Sequence, residues 1–245
     1  MKSIILVAGI GERFKELKIP KSLLLIGQKT LIQHTLTALS HYGIKESIIV
    51  TGHLENKIKE HLGDSYSGIS IKYITNPNYA NTHTMHSLYQ AKDLINDDIL
   101  LIEGDLLFDY SLIEKIIFSE HKNLIVGTPL KNLEEGVLIS SKENPKIDKI
   151  GRDIKFKNII GEYVGISKLS RKYLGKVFNF FEEEYMQKGK TDYYENVFVE
   201  FSKNIRTRSP SLRTSRTKRG RNQRQRRIPT LPIIRLPNRN DERTL

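Results

Sequence analysis

The chain has 245 residues, no cysteine and a formal net charge of +12, and 38% of it is hydrophobic. That suffices for one large α/β domain or two small ones, and it excludes collagen-like, disulfide-framework and membrane-spanning classes, since no run approaches the roughly 20 apolar residues of a bilayer helix. The charge is uneven: residues 1–203 hold 27 Lys and Arg against 26 Asp and Glu, while residues 204–245 hold 13 against 2.

The first apolar run, from Ser3 to Ile10, is short and leads into Gly-Glu-Arg without a small-residue cleavage pattern. It reads as a buried first strand over Ser3–Ala8 rather than a signal peptide, and a cytoplasmic location is expected. Further strands are predicted over Ser47–Thr51, Ile69–Thr75 and Ile99–Glu103, all rich in Ile, Leu or Val. Helices are predicted between them. Leu31–His41 opens on Thr30-Leu-Ile-Gln33, with the spacing of a capping box, and stops at Gly43; Leu54–Leu62, Thr84–Ile95 and Ser111–His121 follow. Strands alternating with helices imply right-handed crossovers and a mainly parallel, Rossmann-like α/β sheet with helices on both faces. Ligands of such sheets gather at the carboxyl ends of the strands.

From Asn123 the pattern loosens into short strand candidates at Leu124–Thr128, Val137–Ser140, Ile147–Ile150, Ile154–Phe156 and Glu162–Ile166. They read as a small β-rich extension, closed by helices over Arg171–Gln187 and Tyr194–Ser202. Residues 204–245 switch from Lys-rich to Arg-rich usage and are punctuated by Pro210, Pro229, Pro232 and Pro237. The expected organisation is one domain over 1–203 and a disordered basic tail over 204–245, which has too little apolar surface to offset the entropy of ordering.

The strongest chemical signal is Leu6-Val-Ala-Gly9-Ile-Gly11-Glu-Arg13 followed, six residues later, by Pro20-Lys21. A strand running into a Gly-rich turn lets backbone N–H groups approach phosphate oxygens, and two nearby cations neutralise a triphosphate. An ordinary strand-to-helix turn is the plainer reading. Two other phosphate motifs fail on spacing: Phe14 holds the place of the third glycine of a dinucleotide fingerprint, and Pro20 precedes Lys21 where a Walker A loop has glycine.

These residues resemble the signature of the nucleotidyltransferase superfamily, a first strand, then G-x-G-x-R, then Pro-Lys. The resemblance implies that the Leu6–Arg13 loop, with Leu6, Ala8, Gly9 and Gly11, wraps a nucleotide whose phosphates the catalytic cations Arg13 and Lys21 hold. The segment from Asn76 to Tyr89, with its Asn/Thr-rich turn and Ser87-Leu-Tyr89, resembles the loop-to-helix region of phosphocholine cytidylyltransferases and their aminoethylphosphonate relatives. There Asn76, Thr82, Thr84 and Ser87 suit a base edge or a phosphate, although capping the helix is the alternative role. His83 stands where those relatives usually carry Asn.

Asp105 ends the apolar strand Ile99-Leu-Leu-Ile-Glu103-Gly. In the family this Asp binds Mg²⁺ at the nucleotide phosphates, a role that suits a hard cation held by few carboxylates plus substrate oxygens; a turn-forming Asp is the alternative. Gly161-Glu162-Tyr163 and Asp192-Tyr193-Tyr194-Glu195 resemble segments lining the acceptor site, so Glu162, Tyr163, Tyr194 and Glu195 are the expected acceptor-binding set. Aromatic faces and carboxylates suit a quaternary ammonium or a primary amine, and tyrosines packed in the core are the plainer reading. His53, after Thr51-Gly52 at a strand end, is expected at the border of the base, and the remaining histidines lack metal-ligand spacing.

The resemblance implies an Mg-dependent cytidylyltransferase that transfers CMP from CTP to phosphocholine, or to an analogue such as 2-aminoethylphosphonate, and releases pyrophosphate. A sugar-1-phosphate nucleotidyltransferase is the alternative enzyme. The resemblance stops near residue 201, whereas the family continues into a strand with a second acidic metal ligand. The codon-usage-like switch from Lys to Arg is what a shifted reading frame produces, so residues 204–245 are read as a frameshifted end. The rival reading is a basic arm that binds nucleic acid or an acidic membrane surface.

Overall fold

The computed structural model describes residues 1–11, 18–130, 136–142, 147–152, 158–208 and 233–235. In chain order the elements are β1 (Lys2–Leu6), the short hairpin β2 (Leu25–Ile26) and β3 (Lys29–Thr30), α1 (Leu31–His41), β4 (Glu46–Thr51), α2 (Glu55–Leu62), β5 (Ser65–Tyr66), β6 (Ile69–Thr75), α3 (Thr84–Gln90), β7 (Ile99–Glu103) and α4 (Ser111–Ile117). The second half adds β8 (Leu124–Thr128), β9 (Val137–Ser140), β10 (Lys149–Gly151), β11 (Ile159–Leu169), α5 (Arg171–Glu184), α6 (Tyr194–Arg208) and β12 (Ile233–Arg235).

The large sheet runs β10-β9-β11-β7-β1-β4-β6-β5, and β8 branches from β11 to pair also with β12. Its centre is parallel: β1 pairs with β4 and β7, and β4 with β6. Around β11 it is antiparallel, with β7, β8 and β9 all running against that strand. This is the expected α/β sheet with a β-rich extension.

Of the parallel strands, β1, β4 and β7 are nearly continuous apolar runs because both faces are covered, while β6 alternates buried and exposed residues. Side chains alternate between faces, so Ile4, Ile48 and Leu101 enter a core with α3, α5 and α6, while Ile5, Ile49, Leu100 and Ile102 enter a second core with α1, α2 and α4. Helix α1 starts where the Thr30 backbone N–H donates to Gln33 Oε1 at 2.9 Å, and it ends before Gly43, whose φ of 83° reverses the chain.

Several boundaries differ from expectation. Strand β1 stops at Leu6; α3 ends at Gln90 and gives way to a 3₁₀ turn at Lys92–Leu94; α4 ends at Ile117. Strand β11 is longer than the predicted Glu162–Ile166 because it serves three partners, and its register shifts beside Gly161 and between Tyr163 and Ser167 hide the alternation from the sequence. The candidate strand Ile154–Phe156 lies outside the described residues. The domain end expected at 203 falls within α6, which continues to Arg208. Within the supposed disordered tail, Ile233–Arg235 pairs in parallel with Ile125–Gly127 of β8, since a β-branched pair favours extended backbone and β8 offers it an edge. The rest of the tail, and with it the frameshift and nucleic-acid readings, lies outside the described residues. Among the described residues no helix is long and apolar enough to cross a membrane.

Phe198 of α6 is only 1% exposed and stacks near Tyr173 and Tyr194. Phe198→Ala is therefore expected to lower unfolding stability by about 3–5 kcal/mol, read from urea denaturation; a loss under about 1 kcal/mol would contradict the packing described for α6.

Candidate functional site

A cavity of about 400 Å³ opens at the carboxyl ends of β1 and β7. Leu6, Ala8, Gly9 and Gly11 come to it from the turn after β1, and Lys21 from the following segment. Thr82, His83, Thr84 and Ser87 come from the entry to α3, Glu103, Gly104 and Asp105 from the end of β7, Arg152 from the end of β10, and Tyr193 and Glu195 from the start of α6.

Backbone pairing fixes this rim because it outlasts the strands. The Val7 N–H donates to Val50 O at 2.9 Å, the Gly104 N–H to Leu6 O at 3.0 Å and the His53 N–H to Ala8 O at 3.1 Å. Gly104 has no room for a side chain, since a Cβ there would lie 2.1 Å from Val7 Cγ1. Gly11 has a φ of 67°, and a Cβ on it would lie 3.0 Å from Lys21 Cε. Glycine at that position thus lets the lysine stem cross the turn.

Lys21 Nζ lies 3.9 Å from Asp105 Oδ2, and both side chains are partly open to solvent. A buried chain of hydroxyls leads to the neighbouring carboxylate. Tyr194 OH donates to Glu103 Oε1 at 2.9 Å, and Tyr163 OH lies 2.9 Å from both Tyr194 OH and Ser167 Oγ. Burial pushes Glu103 above the usual carboxylate range, and the Tyr194 hydrogen bond opposes it. Burial and the charge of Glu103 push both phenols well above 10, so they act as neutral donors. Glu195 is 7% exposed, and its Oε2 has no hydrogen-bond partner among the described residues. Burial, with Glu103 and Asp192 acting in the same direction, pushes Glu195 up to about 7, against the pull of Arg152.

The cavity thus brings together Leu6, Ala8, Gly9, Gly11, Lys21, Thr82, Thr84, Ser87, Asp105 and Glu195 of the expected set. Arg13 lies outside the described residues. Asn76 is fully buried and off the cavity: its Nδ2 donates to Thr82 Oγ1 at 3.1 Å and Ser87 Oγ at 3.0 Å, and its Oδ1 accepts the Asn78 N–H. It shapes the loop, and the two residues it holds are those that reach the cavity. Tyr163 and Tyr194 lie in the core behind the wall, and Glu162 lies beside Gly136 rather than on the wall. His53 packs 5.9 Å from Tyr79 without lining the cavity.

Sequence reasoning gave no site role to Glu103, Arg152, Tyr79 or Tyr193. The first was legible as a carboxylate two residues before Asp105, on the same side of an extended chain. Tyr193 was not, because nothing in Asp192-Tyr-Tyr-Glu195 decides which tyrosine turns inward. The structure buries Tyr194 and leaves Tyr193 41% exposed, stacked on His83 with centroids 4.5 Å apart. For a divalent cation the donors fit a light requirement. Asp105 presents a half-exposed carboxylate to the cavity, and a hard cation that keeps most of its shell as water and substrate oxygens needs few such donors.

Glu195 has a consequence for stability. Its folded form keeps a proton up to about pH 7, whereas the unfolded chain releases it near 4.5, so stability from this group falls as pH rises between those values. The loss amounts to up to about 3 kcal/mol. Relative to Glu195→Gln, the wild type is expected to lose unfolding free energy between pH 5 and 8; parallel curves would contradict the buried acid.

Residues 2–135 match the family model described as nucleotidyl transferase. The chain is 28% identical over 153 residues to a CMP-5'-(3-aminopropyl)phosphonate synthase of Streptomyces rubellomurinus, a match over 61% of this chain and 24% of that protein. It is 26% identical over 204 residues to a CTP:phosphoglutamine cytidylyltransferase of Campylobacter jejuni, covering 74% of this chain and 78% of the relative. The match thus spans only about a quarter of the first relative's length but most of the second's. Among solved structures, the CTP:phosphocholine cytidylyltransferase of Streptococcus pneumoniae superposes with a TM-score of 0.64 at 19% identity, over 97% of this chain and 90% of that one. With more than half of its length matched, and with a Gly-rich turn and a lysine at the carboxyl end of β1, the chain belongs to the nucleotidyltransferase family.

Proposed function

We propose that this chain transfers CMP from CTP to an amine-bearing phosphate or phosphonate, such as phosphocholine or 2-aminoethylphosphonate, and releases pyrophosphate. The observation that carries the proposal is one cavity holding Lys21 against a glycine turn, the open carboxylate of Asp105, and the buried acid Glu195. CTP as the donor draws support from the similarity to a CMP-5'-(3-aminopropyl)phosphonate synthase and a CTP:phosphoglutamine cytidylyltransferase.

The acceptor brings its own nucleophile, so the chain need not generate one. An oxygen of the acceptor's phosphate or phosphonate attacks the α-phosphorus of CTP, the bond to the β,γ-phosphates breaks, and the electron pair leaves on pyrophosphate. Catalysis then consists of alignment and charge stabilisation. Lys21 holds the phosphates across the turn, and Arg13 joins it by family resemblance. Gly9 and Gly11 let backbone N–H groups approach the same oxygens. Thr82, Thr84 and Ser87 offer hydroxyls at the nucleoside end. A Mg²⁺ ion held by Asp105 would neutralise phosphate charge when bound.

Pyrophosphate release is the direct test, with CTP, UTP, dTTP and ATP each paired with phosphocholine, 2-aminoethylphosphonate and glucose 1-phosphate. CTP with an amine-bearing acceptor is the pair expected to turn over fastest, and Lys21→Ala should lower its kcat/KM by about 10²-fold. Turnover only with glucose 1-phosphate, or an unaffected Lys21→Ala, would refute the proposal.

A further inference from the structure

We infer that the acceptor's cationic head carries at least one N–H and is bound through it by Glu195, so that a primary ammonium is taken in preference to a quaternary one. This rests on the transfer reaction proposed above and narrows its acceptor.

The first ground is an unmet hydrogen bond. Glu195 is more than nine-tenths buried, it borders the cavity, and its Oε2 finds no donor among the described residues. A buried carboxylate oxygen without a donor is costly in the empty site. An ammonium N–H meets that need, whereas a trimethylammonium offers charge without a donor. Glu103, on the same cavity, adds a second carboxylate whose Oε1 already accepts from Tyr194, so two acids border the wall near α6. Burial that favours the protonated acid in the empty site agrees with a group that gains its partner from the ligand.

The second ground is that the aromatic rings described at the cavity are already engaged. Quaternary ammonium groups are held by several open aromatic faces. The chain has no Trp. Tyr163 and Tyr194 sit behind the wall with their hydroxyls bonded to each other. Tyr193 stacks one face on His83, and Tyr79 leans on His53 and against Gly52. Arg152 borders the same cavity, where its charge acts on Glu103 and Glu195.

A graded acceptor series tests this: phosphoethanolamine, its N-methyl and N,N-dimethyl forms, and phosphocholine, each with CTP and Mg²⁺. The expected kcat/KM falls along the series, with the largest drop, about tenfold or more, at the last methylation, which removes the last N–H. In Glu195→Gln the value for phosphoethanolamine should fall by about tenfold while that for phosphocholine changes by less than about threefold, flattening the series. Phosphocholine equal to or better than phosphoethanolamine in the wild type would overturn the inference while leaving the transfer reaction standing. Absence of turnover with every member and every triphosphate would instead sink the parent reaction. If Glu195→Gln fails a thermal-melt check of folding, the wild-type series decides alone.

Discussion

The site depends on β1 being held between two parallel neighbours. Leu6 pairs with Val50 of β4 and with Glu103 of β7, so the chain leaves the sheet at one level on all three strands. Main-chain bonding then continues past the strand ends, through Val7, Gly104 and His53. The Gly-rich turn and the acidic corner at Glu103 and Asp105 are therefore set against each other by backbone geometry before any side chain contributes. Close contact of Gly104 with Val7 shows how tightly the two loops meet. Rigid strands that present mobile-length side chains from their ends are the usual way in which such sheets build sites.

On that frame the sequence arranges two kinds of acid. Asp105 is half exposed and lies 3.9 Å from Lys21 Nζ, an open pairing that solvent screens. Glu103 and Glu195 are buried, and burial works against their charge. Tyr163, Tyr194 and Ser167 support Glu103 from behind by a continuous hydroxyl chain. Tyr163 and Tyr194, expected at the acceptor, lie behind the wall and bond to Glu103 through the Tyr194 hydroxyl.

Much of the fold was legible because both periodicities were strong. Helix α1 carries its own start and stop signals, and its predicted and observed ends coincide at Leu31 and His41. β4 and β7 read as apolar runs because they are covered on both faces, whereas β6 alternates buried Ile69 and Ile71 with exposed Ser70 and Lys72. What escaped was set by tertiary pairing. Strand β11 has glycines at 161 and 165 that break its alternation, and its length is decided by β7, β8 and β9 together. Strand β12 is three residues whose pairing depends on an edge offered more than one hundred positions earlier. Within the cavity, residue types pointed to the segments that line it but not always to the residue that reaches it. Asn76 is used up in shaping its loop, and the choice between Tyr193 and Tyr194 follows from how α6 meets β11 and α3.

The proposed transfer joins an acceptor oxygen to the α-phosphorus of a nucleotide seated at the end of β1. Phosphorus-31 NMR of the full chain with CTP, Mg²⁺ and 2-aminoethylphosphonate reads that bond directly. The expected result is loss of the phosphonate and triphosphate signals in equal amounts, with a coupled pair from a mixed anhydride and a singlet from pyrophosphate. Conversion of CTP to CDP and inorganic phosphate, with the phosphonate signal unchanged, would contradict it.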